Sequence, residues 1–302
     1  MADADVIIVG AGTAGLTAAI YVQRAGKKAL VFEEAVYGGQ IVNTPDIENY
    51  PGIAHISGYE FATGLYNQAT ELGAEVRFEK VLSIENEGAE KRVKTTGGEY
   101  TARAVILATG AKNRALGLPR EKELTGRGIS YCATCDGAFF RGKEVAVNGG
   151  GNTALEDAAY LANGCSKVYV IHRRDQFRGD AKEADSLRAK PNVEFILKST
   201  VTALFGEKKL EGIEVTNKVT GEKRTLPVAA LFVAIGQEPD NAPFANVAAL
   251  DGKGYIEAGE DCRTETEGIY TAGDCRTKEV RQLTTAAADG AVAAMAACGR
   301  LN

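Results

Sequence analysis

The chain is poor in the residues from which disulfide scaffolds, zinc sites and anion-binding surfaces are made. Six cysteines in 302 residues are too few for a disulfide-stapled fold, and the two histidines, His55 and His172, stand at no metal-ligand spacing. No second CxxC accompanies Cys132–Cys135, so a four-ligand zinc site lacks half its donors. No run of Lys or Arg suits an anionic membrane, and a formal net charge of -5 argues against a nucleic-acid surface. The segment Met1–Asp5 carries no basic residue ahead of the first apolar run, so no secretory signal is expected. The longest apolar stretch, Thr284 to Cys298, is broken by Asp289 and Gly290 and falls short of a membrane span. These absences predict a cytoplasmic globular protein with small-molecule ligands and any basic cluster kept local. With 45% hydrophobic and 25% charged residues, the length suits two domains better than one.

What is present is organised by glycine. Asp5–Gly10 is an unbroken apolar run ending in glycine, the pattern of a strand covered on both faces. The turn Gly10-Ala-Gly12-Thr13-Ala14-Gly15 follows, then a helix over Leu16–Ala25 and a second strand over Lys28–Glu33. The same series recurs: a strand over Glu144–Asn148, the turn Gly149-Gly-Gly151-Asn152-Thr153-Ala154, a helix over Leu155–Ala162 and a strand over Val168–Ile171. Laid on each other without a gap, the copies match Gly10 to Gly149, Gly12 to Gly151, Gly15 to Ala154 and Glu33 to His172. Two further strands ending in glycine, Ala104 to Gly110 and Leu231 to Gly236, close the two units. After Pro243 come a strand over Gly268–Asp274 and a helix from about Gln282 to Cys298, capped by Gly299. The expected division is 1–113 and 244–302 as one domain, with 114–243 inserted into it.

Each copy carries a ligand signal. In the first, glycines admit a pyrophosphate at the helix N-terminus and Glu33 can bond the ribose hydroxyls, which selects an unphosphorylated adenosine, hence FAD or NAD. In the second, His172-Arg173-Arg174 and Arg178 replace that acid. A carboxylate would repel a 2′-phosphate, whereas guanidinium groups pair with it, so NADPH is favoured over NADH. The bland alternative is a solvated basic face. For Cys132–Cys135 the readings are zinc ligation, a structural disulfide or a redox dithiol; with no further ligands and a cytosolic setting, redox exchange is favoured. Asp136 is either the acid that protonates a departing thiolate or a turn cap. Gly38-Gly39-Gln40 and the turn at 48–52 lie where a long flavin would extend beyond its adenine, unless they are plain loop residues. Asp274 and the helix from Gln282 offer a carboxylate and a positive helix end. The other four cysteines read as small buried hydrophobes.

Together these motifs resemble the low-molecular-weight bacterial thioredoxin reductases over essentially the whole chain: GAGTAG at 10–15, GGQ at 38–40, ENYPG at 48–52, ATG at 108–110, CATCD at 132–136, GGGNTALEDA at 149–158, HRRDQFR at 172–178, TAGD at 271–274 and RQLTTAAADG at 281–290. The resemblance implies an α/β protein of two Rossmann-like, three-layer FAD/NAD(P)-binding domains, the NADPH domain inserted into the FAD domain. It implies a homodimer passing hydride from NADPH to FAD and electrons through Cys132–Cys135 to thioredoxin. Domain rotation is expected between the two half-reactions, with Cys135 facing flavin and Cys132 facing thioredoxin. It adds Asn49, Ala108, Thr109, Gly110, Ile235, Gly236, Gly273, Arg281, Gln282 and Leu283 to the cofactor contacts. The larger disulfide oxidoreductases place a CxxxxC pair soon after the FAD fingerprint and add a C-terminal domain, and this chain has neither. The alternative is a related CxxC flavoprotein that reduces another redoxin or oxidises small dithiols.

Overall fold

A computed structural model describes residues 2–44 and 46–301. The chain divides into two compact units, Met1–Lys112 with Glu238–Asn302, and Asn113–Gln237.

The first unit opens with β1 (Ala4–Val9), α1 (Thr13–Arg24) and β2 (Ala29–Phe32), followed by α2 (Gly58–Glu71) and β3 (Glu75–Arg77). An antiparallel meander follows, β4 (Val81–Glu87), β5 (Glu90–Thr95) and β6 (Glu99–Leu107), and β7 (Ala111–Asn113) leads out. The second unit contains α3 (Glu121–Leu124), β8 (Ile129–Ser130), α4 (Ala133–Asp136), β9 (Glu144–Gly149), α5 (Asn152–Ala162), β10 (Lys167–Ile171), α6 (Ala181–Arg188) and β11 (Val193–Ile196). It continues with β12 (Ser199–Phe205), β13 (Gly212–Asn217), β14 (Lys223–Leu226) and β15 (Ala230–Ala234), and β16 (Gln237–Pro239) returns to the first unit. There β17 (Ile269–Thr271) and α7 (Leu283–Arg300) complete the chain.

The first sheet has seven strands, ordered β3-β2-β1-β6-β5-β4, with β17 also parallel to β6. Alternate residues of its central strands feed two cores. Val6, Ile8, Ala104 and Ile106 pack towards α1 and α7, while Ile7, Val9, Val105 and Leu107 pack with Phe244, Val247 and Ile256. Both faces are therefore buried, which is why β1 reads as a continuous apolar run. The second unit repeats the plan with a parallel sheet ordered β11-β10-β9-β15-β8 and a separate antiparallel sheet β12-β13-β14. Val145, Val147, Val168 and Val170 face one core, and Ala146, Tyr169, Ile171 and Leu231 the other.

Three local results differ from the sequence reading. The helices α1 and α5 begin inside the glycine fingerprints, at Thr13 and Asn152, so the last residues of each motif form a first helical turn. Gly299 does not cap the last helix; α7 runs through it to Arg300, because Ala297 and Cys298 stay packed in the core and hold the final turn helical. The second crossing falls at Gln237–Glu238, ahead of 243, because Asn241 and Phe244 are already built into the first unit. Asn241 is fully buried, donating to the carbonyls of Gly254 and Cys275, both at 2.9 Å, and accepting from Thr109 at 2.7 Å.

Candidate functional site

In the first fingerprint each glycine does a separate job. Gly10 has φ +105°, and a Cβ there would lie 2.3 Å from the Ala108 carbonyl oxygen. A Cβ at Gly15 would lie 1.8 Å from the Gly10 carbonyl, so helix and turn pack backbone to backbone. At Gly12 nothing stands within 4 Å of that position, which leaves the amide end of α1 open to an approaching phosphate. Thr13, Ala14 and Gly15 are buried in that first turn. Glu33, just beyond β2, accepts from the amides of Ala11 at 2.9 Å and Ala35 at 3.0 Å, which fixes its carboxylate beside the fingerprint with lone pairs to spare for ribose hydroxyls.

Other elements of the same unit converge on this end. Gly38 bridges to Gly12 and donates to the Ala11 carbonyl at 2.7 Å, which brings the short 3-10 turn at Gly39–Asn43 against the motif. The Gln40 side chain donates to the Ala111 carbonyl, tying that turn to the strand after Ala108, Thr109 and Gly110. Asn49 donates to Gln282 at 3.3 Å, and Gln282 caps α7 ahead of Leu283. Arg281 spends its guanidinium on the carbonyls of Asp274, Arg276 and Lys278, so it braces the turn entering α7.

Asp274 is informative for what it lacks: Oδ1 is buried without a hydrogen-bond partner among the described residues. Burial raises its proton affinity, opposed by Lys278 and Arg281. A buried oxygen left open, in the same unit as the open turn at Gly12 and the anchored acid Glu33, fits a flavin dinucleotide.

Sequence reading missed the brace beneath this site. Arg276, 2% exposed, bonds both oxygens of Asp289 at 2.8 and 2.9 Å; Lys278 adds a bond at 2.9 Å and the Gly273 amide another at 3.0 Å. Burial works against the Asp289 charge, but Arg276 and Lys278 prevail and hold the carboxyl below the ordinary range. An acid and two cations in the TAGD–helix segment were visible in the sequence; their convergence was not.

The second unit's fingerprint repeats the geometry. A Cβ at Gly149 would meet the Ala234 carbonyl at 2.3 Å and the Ala154 methyl at 2.7 Å, while Gly151 faces open space. Ile235 and Gly236 continue the neighbouring strand, and Asn152 and Thr153 are exposed at the start of α5. His172 is not a surface group of the basic cluster. It is 5% exposed, stacks on Phe177 and lies so close to Gly150 that a Cβ there would meet its ring at 2.1 Å. Burial lowers its proton affinity, the bond to the Gln176 carbonyl opposes that and Arg174, Arg178 and Arg173 lower it further, and the ring packs as a support for the turn. Arg173, Arg174 and Arg178 are exposed and form no ion pair among the described residues. The loop that carries them curls back, with the Arg178 amide donating to the Gly150 carbonyl at 2.7 Å. Three unpaired guanidinium groups beside an open glycine turn fit a 2′-phosphorylated dinucleotide.

Cys132 and Cys135 form a disulfide across α4, their Cα atoms 5.3 Å apart. The elements carrying them pack on α5, with Ala133 buried among Leu155, Ala158 and Leu161. Asp136 does not cap a helix; its Oδ2 accepts from Ser130 Oγ at 2.6 Å and its Oδ1 is buried without a partner among the described residues. Burial raises its proton affinity and the Ser130 bond offsets part of that, so this carboxyl, in the elements carrying the disulfide, holds a proton more readily than a free one. Cys165, Cys262, Cys275 and Cys298 are buried thiols. Burial pushes Cys262 up to about 12, which leaves it inert as a nucleophile. No helix among the described residues is long and apolar enough to cross a membrane.

Two dinucleotide fingerprints with a redox disulfide in the second unit define a flavin- and nicotinamide-nucleotide-dependent dithiol oxidoreductase. The chain belongs to the pyridine nucleotide-disulphide oxidoreductase family, which matches residues 4–290, and within it to the thioredoxin reductases. It is 44% identical over 293 residues to the thioredoxin reductase of Bacillus subtilis (strain 168), covering 96% of this chain and 92% of that one. Against the thioredoxin reductase of Treponema pallidum (strain Nichols) it is 43% identical, over 99% of this chain and 98% of the relative. The crystal structure of thioredoxin reductase from Streptococcus pyogenes MGAS5005 superimposes with a TM-score of 0.94 at 41% identity, covering 99% of this chain and 98% of that chain.

Proposed function

We propose that this protein is an NADPH-dependent thioredoxin-disulfide reductase, acting as a cytoplasmic homodimer like the proteins it resembles. The observation that carries the reading is the Cys132–Cys135 disulfide standing, with a buried acid, in the same unit as the arginine-bearing fingerprint. The first unit holds FAD: Gly10, Gly12, Thr13, Ala14 and Gly15 face its pyrophosphate, Glu33 its ribose, and Gly38, Gly39, Gln40, Asn49, Ala108, Thr109, Gly110, Gly273, Asp274, Arg281, Gln282 and Leu283 its remaining length. The second holds NADPH through Gly149, Gly151, Asn152, Thr153, Ala154, Ile235 and Gly236, with Arg173, Arg174 and Arg178 on the 2′-phosphate and His172 supporting the turn from beneath.

Bound flavin supplies two-electron chemistry between a nicotinamide and a disulfide. The chain's own part is to hold both nucleotides on open helix ends, to select the phosphorylated one, and to keep a proton at Asp136 for the sulfur that leaves as thiolate. The reduced pair then exchanges with the disulfide of thioredoxin.

The test is NADPH oxidation by the purified yellow protein with thioredoxin as acceptor. Thioredoxin-dependent turnover is expected in the wild type and lost in Cys135→Ser. Full turnover in that variant would remove the disulfide from the path, and equal rates with NADH would remove the role given to the arginines.

A further inference from the structure

Ser130 ends β8 and is 4% exposed. Its hydroxyl has three polar neighbours. It donates to Asp136 Oδ2 at 2.6 Å, accepts from the Cys132 amide at 3.1 Å, and stands 3.2 Å from the Cys132 carbonyl oxygen. A hydroxyl has one proton, so it serves one of those two acceptors at a time. With Asp136 ionised, the proton points at the carboxylate. With Asp136 neutral, the acid can donate to Ser130 Oγ and the serine proton turns to the Cys132 carbonyl. Both protonation states are thus bonded, and in both the hydroxyl keeps its hold on the backbone of the first cysteine.

We infer that Ser130 is the positioning residue for proton transfer to the redox pair, coupling the acid Asp136 to the backbone of Cys132 through one hydroxyl. The inference rests on the reading of Cys132–Cys135 as the redox disulfide and of Asp136 as its acid. In exchange with a dithiol, the attacking sulfur bonds to one cysteine, the S–S bond breaks, and the other sulfur departs with the electron pair. Asp136 gives that sulfur its proton and is reprotonated by the proton shed from the attacking thiol. When the second thiol closes the cycle, the protein disulfide has gained two electrons and two protons and the dithiol has lost them.

Removing the hydroxyl harms the ionised acid most, because a buried carboxylate then has no side-chain donor. The titratable groups on the elements around Asp136 are Tyr131 beside β8 and Glu156, Asp157 and Tyr160 in α5, while Cys132 and Cys135 are tied up in the disulfide. None acts on it as a charge; burial raises its proton affinity and Ser130 alone opposes that.

The measurement is the dithiol fraction of the FAD-loaded enzyme, trapped by alkylation after equilibration with dithiothreitol buffers across the acidic to neutral range. It needs neither NADPH nor thioredoxin. The wild type should show a break in potential against pH where Asp136 titrates. Ser130→Ala should move that break upward by about one pH unit, the worth of one hydrogen bond to a charged group. Ser130→Thr should keep it in place, and Asp136→Asn should abolish it whether or not Ser130 is present. A break unmoved in Ser130→Ala, or an equal effect of that change in the Asp136→Asn background, overturns the inference. Ser130→Gly gives the same reading should the alanine variant not fold. A wild type that shows this behaviour yet fails to reduce thioredoxin would sink the proposed substrate and leave the serine's role standing.

Discussion

Asp157 is half-buried beside the stripe of α5 formed by Ala154, Ala158 and Leu161, and its carboxyl meets the backbone amide of Ala133 between the two cysteines. Burial, with a smaller push from Glu156, raises its pKa to about 7 against the Ala133 bond. The unfolded chain releases this proton near the ordinary carboxylate value, so between that value and about 7 the native state holds a proton that the unfolded state has lost. Stability should therefore fall as pH rises through this window and stay reduced above it. Asp157→Asn is expected to raise the melting temperature in mildly alkaline buffer, by a gain of about 1–3 kcal/mol, and to give no gain in acid. Thermal melts of both proteins at two pH values check this, and a parallel shift at both would deny the titration. The arginines have a kinetic consequence instead. Arg173→Ala with Arg174→Ala should raise KM for NADPH by roughly tenfold or more, the loss of a charge-assisted bond to phosphate, and leave KM for NADH nearly unchanged. An equal rise for both nucleotides would mean the residues serve the fold and not the 2′-phosphate.

Helix α7 is the element on which the first unit depends. It lies on α1 through small residues, and Gly290 comes so close that a Cβ would stand 2.3 Å from the Ala14 carbonyl, inside the FAD fingerprint's own turn. Gly290→Val should push α7 off α1, cost about 3 kcal/mol or more through overpacking, and reduce bound FAD together with stability. Flavin absorbance per protein and a denaturant melt measure both; retained flavin with lost stability would separate the packing from the site. The repeated strand–turn–helix pattern made these elements legible in the sequence, because a strand covered on both faces is apolar throughout and its turn demands glycine at set places. The open backbone at Gly12 and Gly151 was readable for the same reason. Asn241, Ser130, Asp157 and the Arg276–Asp289–Lys278 brace were not. Each is a polar group whose partner lies elsewhere in the fold, as Thr109 does from Asn241, and no local periodicity encodes such a pairing. His172 shows the converse: position in the fingerprint marked it, but its burial against Gly150 and Phe177 beneath the turn was not legible.

At the scale of the whole molecule, the chain enters the second unit after Lys112 and leaves it at Gln237, along two strands, β7 and β16, that pair with each other. Each unit has its own sheet built on a parallel core and its own pair of cores, and the residues proposed for each nucleotide sort into one unit without exception. A ligand that binds only native structure stabilises what it binds, by about 2.7 kcal/mol at a hundred times its Kd. Two nucleotides should then protect two different sets of amides. In hydrogen exchange on the full chain, FAD should slow β1, β2, β6 and the start of α7, and adenosine 2′,5′-bisphosphate, a probe carrying the 2′-phosphate, should slow β9, β10 and the start of α5. Because a local opening draws only on the contacts of its own unit, the probe should leave the slowest amides of β1 and β6 unchanged. Protection by the bisphosphate that spreads equally through 4–107 would mean that the units open as one cooperative block, and that the insertion is a feature of chain order alone.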